Sequence, residues 1–401
     1  MPTLRQLFLQ HLGQTTLKPL MLEIERAEGV FMYGSGGRKY LDLVSGVSVS
    51  NTGHCHPDVV RAVSDQAGTY MHLMVYGEII QSPQVKYACK LISLLPEKLD
   101  NCYFVNSGSE AVEGALKLAK RYTGRSRIIS FRNAYHGSTH GALSIQGSEY
   151  YRNAFRPLLP DTFQIPFNNF EALDAIDEHC ACVIIEPVQG EGGVIWPVKG
   201  FLEKIRNRCT EKGSLLIFDE IQTGFGRLGS MFAIDRFGVV PDIIVLAKAL
   251  GGGMPLGAFI SSREIMLSIA SFPSLGHITT FGGHPVSCAA GLASLNVILK
   301  DKLAEKCQEK GNQFKQELKH SLISEIRGEG LLLAVKLTNK NYIPYVITKA
   351  PEYGLVLDNF LFCSDSFRIA PPLVISKSEI SLACSQLIRL LDETEKRIQT
   401  E

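Results

Sequence analysis

The chain has 401 residues, 45% hydrophobic and 20% charged, enough apolar material for two or three domain-sized units. Forty-one Lys and Arg against forty Asp and Glu argue against a nucleic-acid binder held by bulk charge, and against a polybasic membrane-surface protein. The ten cysteines make no CxxC pair and no disulfide framework, so free thiols in a reducing cytoplasm are expected. There is no signal-peptide pattern at the N-terminus and no apolar run of about eighteen residues, so no membrane span is read.

In chain order, residues 20–46 read as a small β-meander with a turn at Gly34-Ser35-Gly36-Gly37. From about residue 100 the pattern alternates. Apolar, β-rich runs at 101–105, 128–131, 182–186, 215–219, 242–247 and 256–260 are separated by helical patterns such as 109–122 and 199–212. The runs are apolar almost throughout, as expected of strands covered on both faces. This alternation predicts an α/β domain with a mostly parallel sheet, whose ligands sit at the carboxyl ends of the strands. A long helical stretch follows at 284–321, then extended segments at 330–337, 354–361 and 366–371, and a closing amphipathic helix at 378–398. These predict a second, smaller α+β domain.

The strand ends carry the chemistry. Lys248 ends a strongly apolar run and precedes Gly251-Gly252-Gly253. Its ammonium either reaches solvent along a buried stem, or its apolar setting favours a neutral amine able to attack an aldehyde, a Schiff-base lysine. Asp219 ends another apolar run 29 residues earlier. It reads either as a cap for a following helix or as the anion that keeps a pyridine nitrogen protonated. Ser107, Gly108 and Ser109 open a helix, where backbone N–H groups and the helix dipole favour a phosphate; Ser107 with Glu110 also fits a capping box. Tyr135 or His136 could stack on a flat ring. Arg368, inside an apolar run, needs an anionic partner, and Glu191, in the Glu186-to-Gly193 loop, is one that a substrate carboxylate could replace.

Taken in order, these segments resemble the class III, or ω-, aminotransferases among the fold type I pyridoxal-phosphate (PLP) enzymes, over nearly the whole chain. The resemblance implies a large PLP-binding domain with a mostly parallel, seven-stranded sheet, residues 51–300. It implies a small α+β domain, residues 301–401, joined by the N-terminal segment 1–50. The lysine matching Lys248 carries the cofactor, Asp219 matches the partner of its ring nitrogen, and Ser107, Gly108 and Ser109 match its phosphate cup. Tyr135 matches the stacking aromatic, with His136 and Glu186 also at the cofactor, and Gln222 a glutamine near its phenolic oxygen. Thr280 matches a threonine reaching the partner subunit's phosphate, which implies a homodimer. Glu191 and Arg368 match a gating pair.

The expected function is ping-pong transfer from a terminal amine of the ornithine, N-acetylornithine, 4-aminobutyrate or lysine type to a keto acid. A PLP-dependent aminomutase and a non-catalytic binding protein are the alternatives. Two positions depart from the family pattern. Ser138 follows Gly137 where an arginine commonly holds the distal carboxylate of 2-oxoglutarate, leaving Arg132 or a partner residue to substitute. His284 stands where asparagine is usual.

Overall fold

The computed structural model describes residues 2–75 and 77–400. Seven strands form its central sheet: β1 (Asn101–Val105), β2 (Arg127–Phe131), β3 (Thr162–Ile165), β4 (Cys180–Ile185), β5 (Leu215–Asp219), β6 (Ile243–Leu246) and β7 (Gly257–Ser261). Their order is β1-β7-β6-β5-β4-β2-β3. β7 alone runs against the other six. The α/β sheet expected from the sequence is therefore present, with seven strands, mostly parallel.

The apolar runs are explained by burial on both faces. Along β4, β5 and β6 the side chains alternate between two cores. Ile185, Phe218 and Ile244 enter one, and Ile184, Ile217 and Val245 the other, all fully buried. Helix α1 (Gly108–Thr123) covers the second face through Ala111, Val112, Ala115 and Leu118. Helices α2 (Phe201–Lys212) and α3 (Pro285–Lys300) cover the first through Phe201, Ile205, Leu295 and Ile298. α1 starts at Ser107, whose hydroxyl accepts the Glu110 N–H at 3.2 Å, and stops at Gly124 with φ +67°.

Two smaller sheets flank this unit. The N-terminal meander Ile24–Glu28, Phe31–Gly34 and Lys39–Asp42 is antiparallel. Leu355–Val356 adds to it in parallel beside Lys39–Asp42, bringing the two ends of the chain together. The other sheet pairs Ile323–Glu329, Leu332–Leu337, Ser366–Ile369 and Asp358–Asn359. Helices α4 (Leu303–Glu317) and α5 (Lys377–Thr400) pack on each other beside it. The stretch expected as one helix over 284–321 is two. Lys302 adopts φ +50°, which breaks the hydrogen-bond ladder and redirects the chain so that Leu303 and Ala304 are buried.

Candidate active site

Because β1, β2, β4, β5 and β6 run the same way, their carboxyl ends meet at one edge of the sheet. A cavity of about 440 Å³ opens there, within the range of cofactor sites. Its walls include Asn106, Ser107, Gly108 and Ser109 after β1, and Tyr135, His136 and Gly137 after β2. Glu186 and Glu191 follow β4, Asp219, Ile221 and Gln222 close β5, and Lys248 follows β6. Ten of the twelve residues singled out from sequence thus face one space. Arg368 stands directly behind Glu191. Thr280 is exposed outside the cavity, its carbonyl accepting from His72 Nε2 at 2.8 Å.

Lys248 follows β6 at the start of a tight turn, Lys248–Gly251, with φ +52°, a conformation costly for a non-glycine residue. It is half-buried and opens onto the cavity. Burial lowers its ammonium below the ordinary lysine value, against the pull of Glu191 and Asp219. The glycines after it serve the turn more than a ligand. A Cβ at Gly252, where φ is +61°, would lie 2.7 Å from the Ala290 carbonyl, so glycine lets this turn pack on α3. Gly253 alone of the three lines the cavity.

Asp219 is buried at 3% exposure. It caps no helix, since the next one, Ala233–Phe237, begins fourteen residues on. Oδ1 instead accepts the Ile221 N–H at 3.1 Å, and Oδ2 meets His136 Nδ1 at 2.7 Å. His136 thus meets a carboxylate with its ring edge, and both it and Tyr135 line the cavity. The Tyr135 hydroxyl meets Ser138 Oγ at 3.1 Å. Glu186 accepts the N–H groups of Tyr135 and Gly190, each at 2.9 Å. Burial pushes its carboxyl up to about 7.

The capping box at α1 is half formed. Ser107 caps, but Glu110 reaches back to the Asn106 N–H at 2.8 Å. Gly108 and Ser109, the first residues of α1, have N–H groups with no intrahelical partner. Gly137, with φ +126°, lets the next loop close over them: a Cβ there would lie 2.2 Å from Ser109 Oγ. Ser138 N–H donates to that same Oγ at 3.3 Å.

Arg368 is 1% exposed and donates through Nη2 to Glu191 Oε1 at 2.7 Å. Glu191 Oε2 also accepts the Leu361 N–H at 3.0 Å. Nε and Nη1 of Arg368 are buried without hydrogen-bond partners, so the guanidinium has unused donors. Arg132 is exposed and lines no wall of the cavity. His284 begins α3 with Nδ1 buried and unpartnered, stacked on His72 at 5.8 Å.

Sequence reasoning missed three features here. Glu113, on α1, accepts from Thr139 Oγ1 at 2.6 Å and from the N–H groups of Gly141 and Ala142, tying down the loop after Gly137. Residues Ser45, Gly46, Val47 and Ser48 all have φ between +58° and +66°, a left-handed turn against Lys248–Gly251 that leads into Val49 in the cavity wall. The Asp42 carboxylate holds that turn through the N–H groups of Val44 and Ser45. No local pattern signals it, because left-handed runs are expected only of glycine. The third feature is the bond between His136 and Asp219.

A half-buried lysine, a buried carboxylate and an open helix N-terminus at one sheet edge are the donor set that a phosphorylated pyridine aldehyde would need. Comparison with known proteins agrees. The family described as "Aminotransferase class-III" matches residues 13–391. The chain belongs to the class III aminotransferases. This aminotransferase is 40% identical over 392 residues to an acetylornithine aminotransferase of Methanocaldococcus jannaschii, covering 94% of this chain and 95% of that one. It is also 40% identical over 384 residues to a [LysW]-aminoadipate semialdehyde transaminase of Deinococcus radiodurans, covering 93% and 86%. Among solved structures, an ornithine aminotransferase of Toxoplasma gondii superposes with a TM-score of 0.90 at 31% identity, covering 97% and 93%; that crystal showed partial occupancy of PLP at its active site.

Proposed function

We propose that this aminotransferase uses PLP to move an amino group from a terminal amine, of the ornithine, N-acetylornithine, 4-aminobutyrate or lysine type, to a keto acid. The observation that carries the reading is the convergence of Lys248, Asp219 and the start of α1 on one cavity. Lys248 would hold the cofactor's aldehyde carbon, Asp219 its ring nitrogen, and the N–H groups and hydroxyls at Ser107, Gly108 and Ser109 its phosphate. Tyr135 supplies a flat face, and Gln222, whose Nε2 is buried and unpartnered, a donor for the phenolic oxygen. Glu186 anchors the Tyr135 loop from below.

When bound, PLP accepts the electron pair left as the substrate C–H bond next to nitrogen breaks. The chain's residues do the rest. Lys248 Nζ, whose ammonium form burial disfavours, takes the proton from that carbon and returns it at the next position. Asp219 keeps a proton on the ring nitrogen. Arg368 holds a substrate carboxylate once Glu191 lets go, and Glu191 takes it back when the substrate leaves. A lone terminal amine meets the closed pair, so one cavity serves both donor and acceptor.

The relatives named above act, by name, on acetylornithine, ornithine and an aminoadipate semialdehyde, which favours a terminal-amine donor here. Among the described residues no arginine lines the cavity. The exposed apolar side chains Met71, Leu73, Leu275, Ile278 and Phe281 lie in the two segments joined by the His72–Thr280 bond. A surface of that kind fits a second copy of the chain, with Thr280 reaching the partner's phosphate site. Its free thiols fit a cytoplasmic home.

The test is a panel of amines and keto acids on PLP-loaded protein, each half-reaction followed by the visible band of the bound cofactor. A terminal-amine donor should bleach the band with release of an aldehyde, and a keto acid should restore it. Return of an isomer with no released carbonyl product would instead identify an aminomutase.

A further inference from the structure

Arg327, on the strand Ile323–Glu329, lies outside the cavity wall and has no part in the reading above. We propose that Arg327 is a positioning residue of the gate: its guanidinium bolts the loop carrying Glu191 to the strand carrying Arg368, holds that pair shut, and so sets how readily a substrate carboxylate gains Arg368. This rests on the reading of Glu191 and Arg368 given under Proposed function.

The register of the small sheet puts both arginines on one face. Ala334 pairs with Arg327 on one side and with Arg368 on the other, and directly opposite residues of antiparallel strands point the same way. Two strand spacings separate them by about 9–10 Å, with only the buried Ala334 side chain between. Ser366, two residues before Arg368, shares the face. The loop after β4 lies across it, Val188 and Val194 clustering with Leu332 and Ala334.

Arg327 spans this seam. Nε donates to the Gly193 carbonyl, two residues beyond Glu191. Nη2 donates to Ser366 Oγ at 3.2 Å and to Cys363 Sγ at 3.1 Å, and Nη1 meets Glu325 at 3.1 Å. Cys363 follows a segment already tied to Glu191, whose carbonyl accepts the Phe362 N–H at 3.1 Å and whose Oε2 accepts the Leu361 N–H. A bare Gly193 makes the approach possible, since a Cβ there would lie 2.6 Å from Arg327 Nη2. A guanidinium offers several donors in a fixed fork; a single ammonium cannot span the same acceptors. The two sides need the bolt unequally. Ser366–Ile369 is held in its sheet from both sides, whereas the Glu191 loop belongs to no strand and is closed by the Gln189–Ile195 bridge. Loss of Arg327 therefore loosens Glu191 more than Arg368, and the shut pair yields more easily.

The experiment treats PLP-loaded protein with aminooxyacetate and with methoxyamine. Both capture the cofactor's aldehyde, and only the first carries a carboxylate. Loss of the visible band gives the ratio of their capture constants, and thermal unfolding shows which variants are folded. Arg327→Met should raise the aminooxyacetate-to-methoxyamine ratio about 2- to 10-fold, the worth of one hydrogen bond. Deuterium exchange in the peptide containing Leu361 and Phe362 should quicken with it. Arg327→Lys should raise the ratio less, and Arg327→Met in a Glu191→Gln background should add nothing. A ratio at or below wild type in folded Arg327→Met, unchanged exchange, or the same rise in the Glu191→Gln background would each overturn the proposal and leave Arg327 a packing residue. If Arg327→Met does not fold, Arg327→Lys takes its place, and a wild-type ratio there overturns the proposal. Glu191→Gln alone tests the underlying reading. It should raise the ratio, and an unchanged value would remove the gate itself, a result distinct from failure at Arg327.

Discussion

Replacing Arg368 by lysine separates the gating pair's two jobs. Lysine keeps the charge but loses the planar fork that meets a carboxylate with two parallel bonds. In the native pair Nη2 meets Glu191 at 2.7 Å, Nε has only a 3.6 Å ion pair with Asp358 and Nη1 makes no hydrogen bond, so a substrate carboxylate displacing Glu191 can gain a second bond. A charge-assisted bond is worth about 1.5–3 kcal/mol, so KM for a carboxylate-bearing substrate should rise about 10- to 100-fold. A primary amine without a carboxylate never opens the pair, and its KM should change less than about threefold. Glu191→Gln should do the reverse, easing carboxylate binding by removing the competing anion. The assay is steady-state kinetics on both substrate types, with thermal unfolding to confirm that each variant is folded. An equal rise in KM for both types in Arg368→Lys would refute the reasoning and reduce the pair to a structural bridge.

Other consequences follow from the same geometry. Gly137→Ala puts a methyl group against Ser109 at φ +126°; stability should fall by about 1–3 kcal/mol in urea unfolding, and cofactor should bind more weakly. Glu220, fully buried and accepting the N–H groups of Ala233 and Ile234, is pushed by burial from 4.5 up to about 7. The folded form therefore keeps a proton that the unfolded chain releases, so this group's stabilisation is complete below pH 4.5 and is lost as pH rises through 7. Glu220→Gln should flatten that fall, worth about 3 kcal/mol, in unfolding measured across the window; an identical slope would contradict the assignment. Thr280→Ala should speed cofactor release only if Thr280 serves the partner's site, and release rates at dimer-promoting and dimer-dissociating concentrations test it.

The parts of the fold legible in sequence are those fixed by local pattern. β4, β5 and β6 are apolar on both sides because two cores need them, and uniform apolarity is visible in one dimension. Lys248 and Asp219 stood out because a charge ending such a run has few structural reasons to be there. The edge strand β3 and the strand Ile323–Glu329 were missed, because half-exposed strands carry mixed side chains. The break at Lys302 was missed because a positive φ at lysine has no composition signal. His136 lines the expected cavity, but its contact with Asp219 was not foreseen. It lies 83 residues from Asp219, and only the pairing of β4 with β2 and β5 brings the two loops together.

The central claim is that one particular amine holds the cofactor. PLP-loaded protein reduced with borohydride, digested and mapped by mass spectrometry should carry the pyridoxyl mass on the peptide containing Lys248 and on no other, and Lys248→Ala should carry none. The adduct on another lysine, or full activity in Lys248→Ala, would contradict the account.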